Sequence, residues 1–364
     1  MPKFIPGLKL NKMFYRDVVG PLMRKHFPNL KYTAGLVGHG SDVLGFDTPK
    51  SVDHDWGPHL HMFFLEEDYE TAKKNVDRML RKNLPYTYKG FSTNFIMNPP
   101  GKTYLVDKPK IKKKGDVNHL FRLLTIRGFF EHYLGFDPYK DITVDDWLSF
   151  PQQALIEVTA GEIFHDDLDF KSIRKKFEYY PRDVWLYLMR IQWGKISDEL
   201  SYQGRTGEEG DEIGATIVAT RTIHKIMFLC FLIEKKYVPY AKWFGKSFDR
   251  LNCSRRLKPI ILKTIHCDDW KRRQKKIARA YQILAEMHHD LHITDPLSTK
   301  IIDFHGRGYP VIDVGQYIHE IEENIKDERL RNMQYPLGAV DQFIDHARIN
   351  QMNYVYTKLK DLFK

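Results

Sequence analysis

The sequence predicts an α+β protein: a mixed β-sheet flanked by helices over roughly residues 1–166, followed by an all-α helical bundle over residues 167–364. Three observations carry this. Short apolar runs with period-two spacing stop after Phe164, and beyond it apolar residues recur at helical intervals. The chain has 364 residues, 42% of them hydrophobic, which is more than one small core absorbs and enough to bury two.

Residues from Leu8 to His26 place Leu10, Met13, Phe14, Val18, Val19, Leu22 and Met23 at helical spacing, so a helix is expected there. Tyr32 to Val37 reads as a strand running into a tight turn at Gly38, Gly40 and Ser41. A second strand is expected to begin near Asp53 and continue through Leu60, Met62, Phe63 and Phe64. Glu66 to Lys82 reads as an amphipathic helix, stopped by Pro85. A looser section from Tyr86 to Gly115 holds a strand at Phe91 to Met97 and a basic run, Lys108, Lys110, Lys112, Lys113 and Lys114, which reads first as a solvated loop tip. His119 to Ile126 is the next strand, expected beside the one that starts at Asp53. Helices follow at Arg127 to Tyr133 and Pro151 to Thr159, then an edge strand at Gly161 to Asp166.

The second half is helical throughout. Pro181 to Leu200 has a core stripe of Val184, Leu188, Ile191 and Ile196, and Asp211 to Lys235 is apolar nearly all round, the mark of a central bundle helix. Further helices are expected at Tyr240 to Leu251, Leu257 to Cys267, Asp269 to His289, Val314 to Glu323 and Asn350 to Leu362.

The candidate chemistry lies between the first two strands, where Gly40-Ser41 is followed after eleven residues by Asp53-His54-Asp55. A glycine-serine turn lets backbone N–H groups and a hydroxyl approach a phosphate. Two carboxylates two positions apart on a strand share a face and can hold a hard divalent cation. One rival reading is a solvated loop with local hydrogen bonds. Another is a transition-metal site built from His54, His59 and His61 with the two aspartates.

This constellation resembles the nucleotidyltransferase superfamily, which includes polymerase-beta-like and aminoglycoside nucleotidyltransferases. The longer wording GSDVLGFDTPKSVDHDWGP, with DWLSFPQQALIEVTAGEIFHDD, YQGRTGEEGDEIG, YVPYAKW and GAVDQFID in the same order, is similar to an uncharacterised prokaryotic subgroup of it. The resemblance implies a nucleotidyltransferase-type sheet and transfer of an NMP from a nucleoside triphosphate, ATP being the expected one, to an unidentified acceptor hydroxyl. It implies Mg²⁺ or Mn²⁺ held by Asp53 and Asp55, and phosphates held by Gly40 and Ser41. Many members carry a third carboxylate on the strand matching His119 to Ile126; here that strand offers Arg122 and no acid, the nearest being Asp116 and Glu131. Glu157 is acidic in an apolar stretch but, on a helix, is expected to point to solvent or cap a neighbour. The glycine-rich segment after the first bundle helix reads as a turn that is either a solvated acidic loop or one in which Arg205 meets a phosphate and Glu199, or failing it Asp211, takes the acceptor proton. Lys242 resembles the position from which related enzymes reach the triphosphate, the alternative being a surface lysine flanking a buried Trp243. The alternative to a transferase is a nucleotide-binding regulator or antitoxin-like module without transfer activity, which the missing acid favours.

The formal charge of +10 points to a polyanionic partner. A nucleoside triphosphate is enough to account for it, and nucleic acid is the less favoured partner because no basic track is interleaved with aromatic residues. No apolar run is expected to span a bilayer and the N-terminus lacks a signal-peptide core, so no membrane partner and a cytoplasmic location are expected. Cys230, Cys253 and Cys267 have no CxxC pair and are expected to be buried free thiols. Oligomeric state is left open.

Overall fold

The computed structural model describes residues 2–53, 55–98, 102–105, 114–334, 336–344 and 357–363. His54, the lysines Lys108, Lys110, Lys112 and Lys113, and the first half of the helix expected from Asn350 lie outside them. The chain is α+β and divides into two units, residues 1–141 with 154–178, and residues 142–153 with 179–364.

The first unit opens with α1 (Gly7–Phe14), a single π turn (Tyr15–Val19) and α2 (Gly20–His26). Strand β1 (Thr33–Leu36) follows, then a long connection containing a 3₁₀ turn (Pro49–Asp53), then β2 (His61–Phe64) and α3 (Tyr69–Asn83). Two small hairpins come next, β3 (Thr87–Tyr88) with β4 (Phe91–Ser92) and β5 (Phe95–Asn98) with β6 (Lys102–Leu105), before β7 (Arg122–Thr125) and α4 (Ile126–Leu134). Helix α4 starts at the cap Thr125, whose hydroxyl accepts the Gly128 N–H at 3.0 Å, and stops at left-handed Gly135. Helix α5 (Val144–Ser149) belongs to the second unit; α6 (Gln152–Thr159) crosses the division, and β8 (Glu162–Asp166) and α7 (Phe170–Lys175) return to the first.

The sheet has the order β7-β2-β1-β8. It is mixed: β2 runs antiparallel to β1 and parallel to β7, and β8 is an antiparallel edge. Both faces are covered, which explains why β1 and β2 are apolar without clean alternation. Met62 and Phe64 pack with Phe14, Val19, Met23, Val76 and Leu80. On the opposite face Phe63 meets Phe129 at 5.4 Å and Phe170 at 4.7 Å, and Phe130 meets Phe177 at 4.9 Å.

That aromatic layer explains a difference from the expected boundary between residues 166 and 167. Phe170 and Phe177 are fully buried in the first unit, and Asp166 accepts the N–H groups of Phe170 and Lys171 at 2.9 and 3.0 Å, so the chain leaves this unit only after Glu178.

The second unit is α5 with α8 (Arg182–Ser197), α9 (Tyr202–Glu208), α10 (Glu212–Ile233), α11 (Ala241–Phe248), α12 (Ser254–Ile265), α13 (Trp270–His289), a hairpin of β9 (Ile301–Asp303) and β10 (Pro310–Ile312), and the short helices α14 (Gly315–Glu323), α15 (Glu328–Arg331) and α16 (Val340–Phe343). The hairpin corrects the expectation of an all-α second half: its strands are too short to carry a period-two signal. Helix α10 is the core: Ile226, Leu229, Cys230, Phe231 and Leu232 are buried, and α8 donates Trp185 Nε1–H to the Leu232 carbonyl at 2.7 Å. By length and composition α10 could cross a bilayer, contrary to the expectation that no run is long enough; most of its apolar window is buried within the protein. All three cysteines are buried and free.

Candidate functional site

Because β1 and β2 are antiparallel neighbours, the turn leaving β1 and the segment entering β2 come to the same end of the sheet. The starts of β7 and β8 share that end, since β7 parallels β2 and β8 opposes β1. Gly40 and Ser41 follow β1 and Asp53 and Asp55 precede β2, so all four belong to the connection between these strands in the first unit.

The aspartates are not on a strand, which corrects the expected geometry. Asp53 closes the 3₁₀ turn and Asp55 sits in the left-handed region with φ of 48°. The ladder cannot extend back to them because Gly57 has φ of 141° and Pro58 has no N–H to donate. Both are exposed. The argument that alternation puts them on one face thus does not apply; their direction is set by the turn and by Trp56, buried against Phe91 at 5.1 Å.

The connection that carries Gly40, Ser41 and the aspartates is anchored by acids that the sequence reading passed over. Asp47 Oδ2 accepts the Gly7 N–H at 2.7 Å, at the start of α1, and Trp56 Nε1–H at 2.9 Å. Asp42 is buried, accepts its neighbour Val43 N–H at 3.0 Å, and lies 3.8 Å from His59 Nε2. Burial pushes the Asp42 carboxyl up, against the lowering effect of His59. The missing Cβ of Gly40 is what admits it: a Cβ there would stand 2.3 Å from Asp42 Oδ1. Gly38 does the same for Tyr133, whose hydroxyl would be 2.6 Å from an added Cβ. Both glycines thus serve close packing within the turn, a role the sequence reading did not give them.

Between those glycines stands His39. Its Nδ1 is 2.9 Å from Glu157 Oε1, and its backbone N–H donates to Tyr133 Oη at 3.0 Å. Glu157 does not face solvent as expected; it is buried on α6, and its carbonyl accepts the Gly38 N–H at 3.0 Å. The hydrogen bond to Glu157 raises the His39 imidazole above its ordinary value, against burial and Arg122. His61 is the opposite case: burial, then Arg122 and His59, hold it well below the ordinary range, and its ring lies among Phe63 and Phe129.

The histidines are dispersed. His59 Nδ1 pairs with the Gly57 carbonyl at 2.9 Å and His61 joins the aromatic face. Among the described residues no group of three or more His, Cys, Asp or Glu side chains is gathered for a metal.

The remaining candidates are in the second unit. The glycine-rich segment expected as a turn contains α9. Its glycines serve packing: a Cβ at Gly204 would lie 2.7 Å from the Tyr309 ring, and one at Gly207 would lie 2.3 Å from Trp270. Arg205 is exposed on α9. Glu199 is held by Arg221 at 2.5 Å and by Lys225 at 2.8 Å. Asp211 is the N-cap of α10, accepting the Gly214 N–H at 2.8 Å. Lys242 is exposed, with Nζ 4.9 Å from the centre of the Trp243 ring.

A family model described as "Domain of unknown function (DUF4037)" matches residues 147–244, a stretch that contains Glu157, Glu199, Arg205 and Lys242 and stops short of the Gly40 to Asp55 segment. No curated protein matches. Among solved structures, the chain is similar to a nucleotidyltransferase-like protein from Exiguobacterium sibiricum 255-15, at 11% identity and a TM-score of 0.31, covering 97% of this chain and 90% of that one.

Proposed function

We propose that this chain transfers an NMP group from a nucleoside triphosphate, ATP foremost, to an acceptor hydroxyl with release of pyrophosphate. What supports the reading is the sequence resemblance, together with the antiparallel pairing of β1 with β2, by which the connection that carries Gly40, Ser41, Asp53 and Asp55 starts and ends at one end of the sheet. Carboxylate oxygens are the donor type that Mg²⁺ or Mn²⁺ takes when it keeps its waters and phosphate oxygens, so the side-chain chemistry of Asp53 and Asp55 suits such an ion. Bound there, it would supply charge neutralisation for the triphosphate. Ser41 would offer its hydroxyl to the terminal phosphates, while Asp47 ties the loop to Gly7 and Trp56.

A nucleotide-binding regulator is the second reading. It is favoured by β7, which brings Arg122 rather than an acid beside His61. Pyrophosphate release from labelled ATP, GTP, CTP and UTP over a pool of hydroxyl acceptors separates the two. Release that needs Mg²⁺ supports the transferase; tight nucleotide binding with no release supports the regulator.

A further inference from the structure

We propose that His39 and Glu157 form the proton-accepting dyad of this site, with His39 the catalytic base and Glu157 the residue that positions it. The inference rests on the transferase reading and supplies the group that β7 lacks. The ring is delivered by the turn itself, two residues from Ser41. Its side chain is 58% exposed, whereas that of Glu157 is 6% exposed, so a solvent-facing imidazole is backed by a buried carboxylate.

The backing is held on two elements besides the turn. Helix α6 supplies both the Glu157 carboxylate to Nδ1 and the Glu157 carbonyl to the Gly38 N–H. Helix α4 supplies Tyr133, whose hydroxyl accepts the His39 N–H. With Nδ1–H directed at a carboxylate, the neutral ring keeps its lone pair on Nε2, the nitrogen left to meet a ligand. Glu199, by contrast, is engaged by Arg221 and Lys225 in its own unit.

In the step assigned to the dyad, the acceptor hydroxyl oxygen forms a bond to the α-phosphorus of the nucleotide. The bond from that phosphorus to the α–β bridging oxygen breaks, and pyrophosphate leaves with its electron pair. The hydroxyl proton passes to His39 Nε2, the resulting imidazolium is stabilised by the Glu157 carboxylate, and the proton is then given up to solvent. The groups around His39 are Glu157 from α6, Arg122 from β7, Asp42 from the turn, and Tyr133 from α4, with His132 of α4 under the same Arg122 and Glu157 fields. Glu157 outweighs burial and Arg122, so the imidazole is raised above the ordinary histidine value. A base works unprotonated, so activity should rise with pH through that raised midpoint.

The test uses the full chain with His39→Gln and Glu157→Gln. Turnover in His39→Gln should fall about a hundredfold or more, the usual scale for a general base, with loss of the acidic limb and with Mg-nucleotide affinity kept. Titration of the His39 imidazole by NMR, identified by the resonance missing in His39→Gln, should show a lower midpoint in Glu157→Gln than in wild type. An unchanged midpoint, or wild-type turnover with the acidic limb intact in His39→Gln, overturns the dyad. Where Glu157→Gln does not fold, the exposed His39→Gln carries the test alone. If the wild type releases pyrophosphate and His39→Gln does so equally, only the dyad falls. If the wild type releases none from any nucleotide, the transferase reading falls and the dyad with it.

Discussion

Replacing Asp47 by Ala tests whether the loop that carries Gly40, Ser41 and the two aspartates is held as the structure shows. One carboxylate oxygen accepts the first N–H of α1 and the indole N–H of Trp56, at 2.7 and 2.9 Å. Trp56 is 2% exposed, so its N–H has no water to turn to when the acceptor goes, a loss of about 1–3 kcal/mol. The Gly7 N–H belongs to the set that α1 cannot satisfy internally, and losing a negative acceptor there costs roughly 0.5–2 kcal/mol. Allowing for overlap, Asp47→Ala should destabilise the loop by about 2–4 kcal/mol, while Asp47→Asn, which keeps an acceptor oxygen without the charge, should cost about 1 kcal/mol. Amide hydrogen exchange over residues 41–60 is the assay. A 2 kcal/mol loss corresponds to roughly thirtyfold faster exchange where opening is local. Unchanged protection in Asp47→Ala, with α1 as stable as before, would refute the anchoring argument.

The remaining predictions concern the metal site, the sheet edge and pH. Asp53→Asn and Asp55→Asn should each abolish Mg-dependent nucleotide binding in calorimetry with the fold intact by circular dichroism, and unchanged affinity in either would remove the proposed function's cation site. Gly161→Ala should destabilise the first unit by about 2–3 kcal/mol or more, because its φ is +80° and a Cβ would stand 2.0 Å from the Leu36 carbonyl oxygen; a urea midpoint equal to wild type would contradict the packing of β8 on β1. Burial raises the Asp42 carboxyl above its unfolded value, so the native chain binds the extra proton and stability falls as pH rises from the unfolded pKa through the raised native one. Asp42→Asn should remove that part of the slope in urea midpoints measured against pH, and an identical slope would show that Asp42 does not carry it.

The sequence by itself determined the fold class and most of the elements, because hydrophobic period is a local property. Leu10, Phe14, Val19 and Met23 announce the opening helix, and Val184 to Ile196 the first long bundle helix, from spacing alone. It also singled out Gly40, Ser41, Asp53 and Asp55 as residues with chemistry to explain. Only the tertiary structure decided what holds them. The strand expected from Asp53 begins at His61, since Asp55, Gly57 and Pro58 break the ladder. Glu157 looked solvent-bound because a helix face can be assigned from spacing only when its apolar stripe is narrow, and in QQALIEVT it is not. Its partner His39 is 118 residues away, and Asp47 is 40 residues from Gly7. A buried polar group must find a partner somewhere, but no local pattern names one, because the partner is chosen when the chain closes on itself.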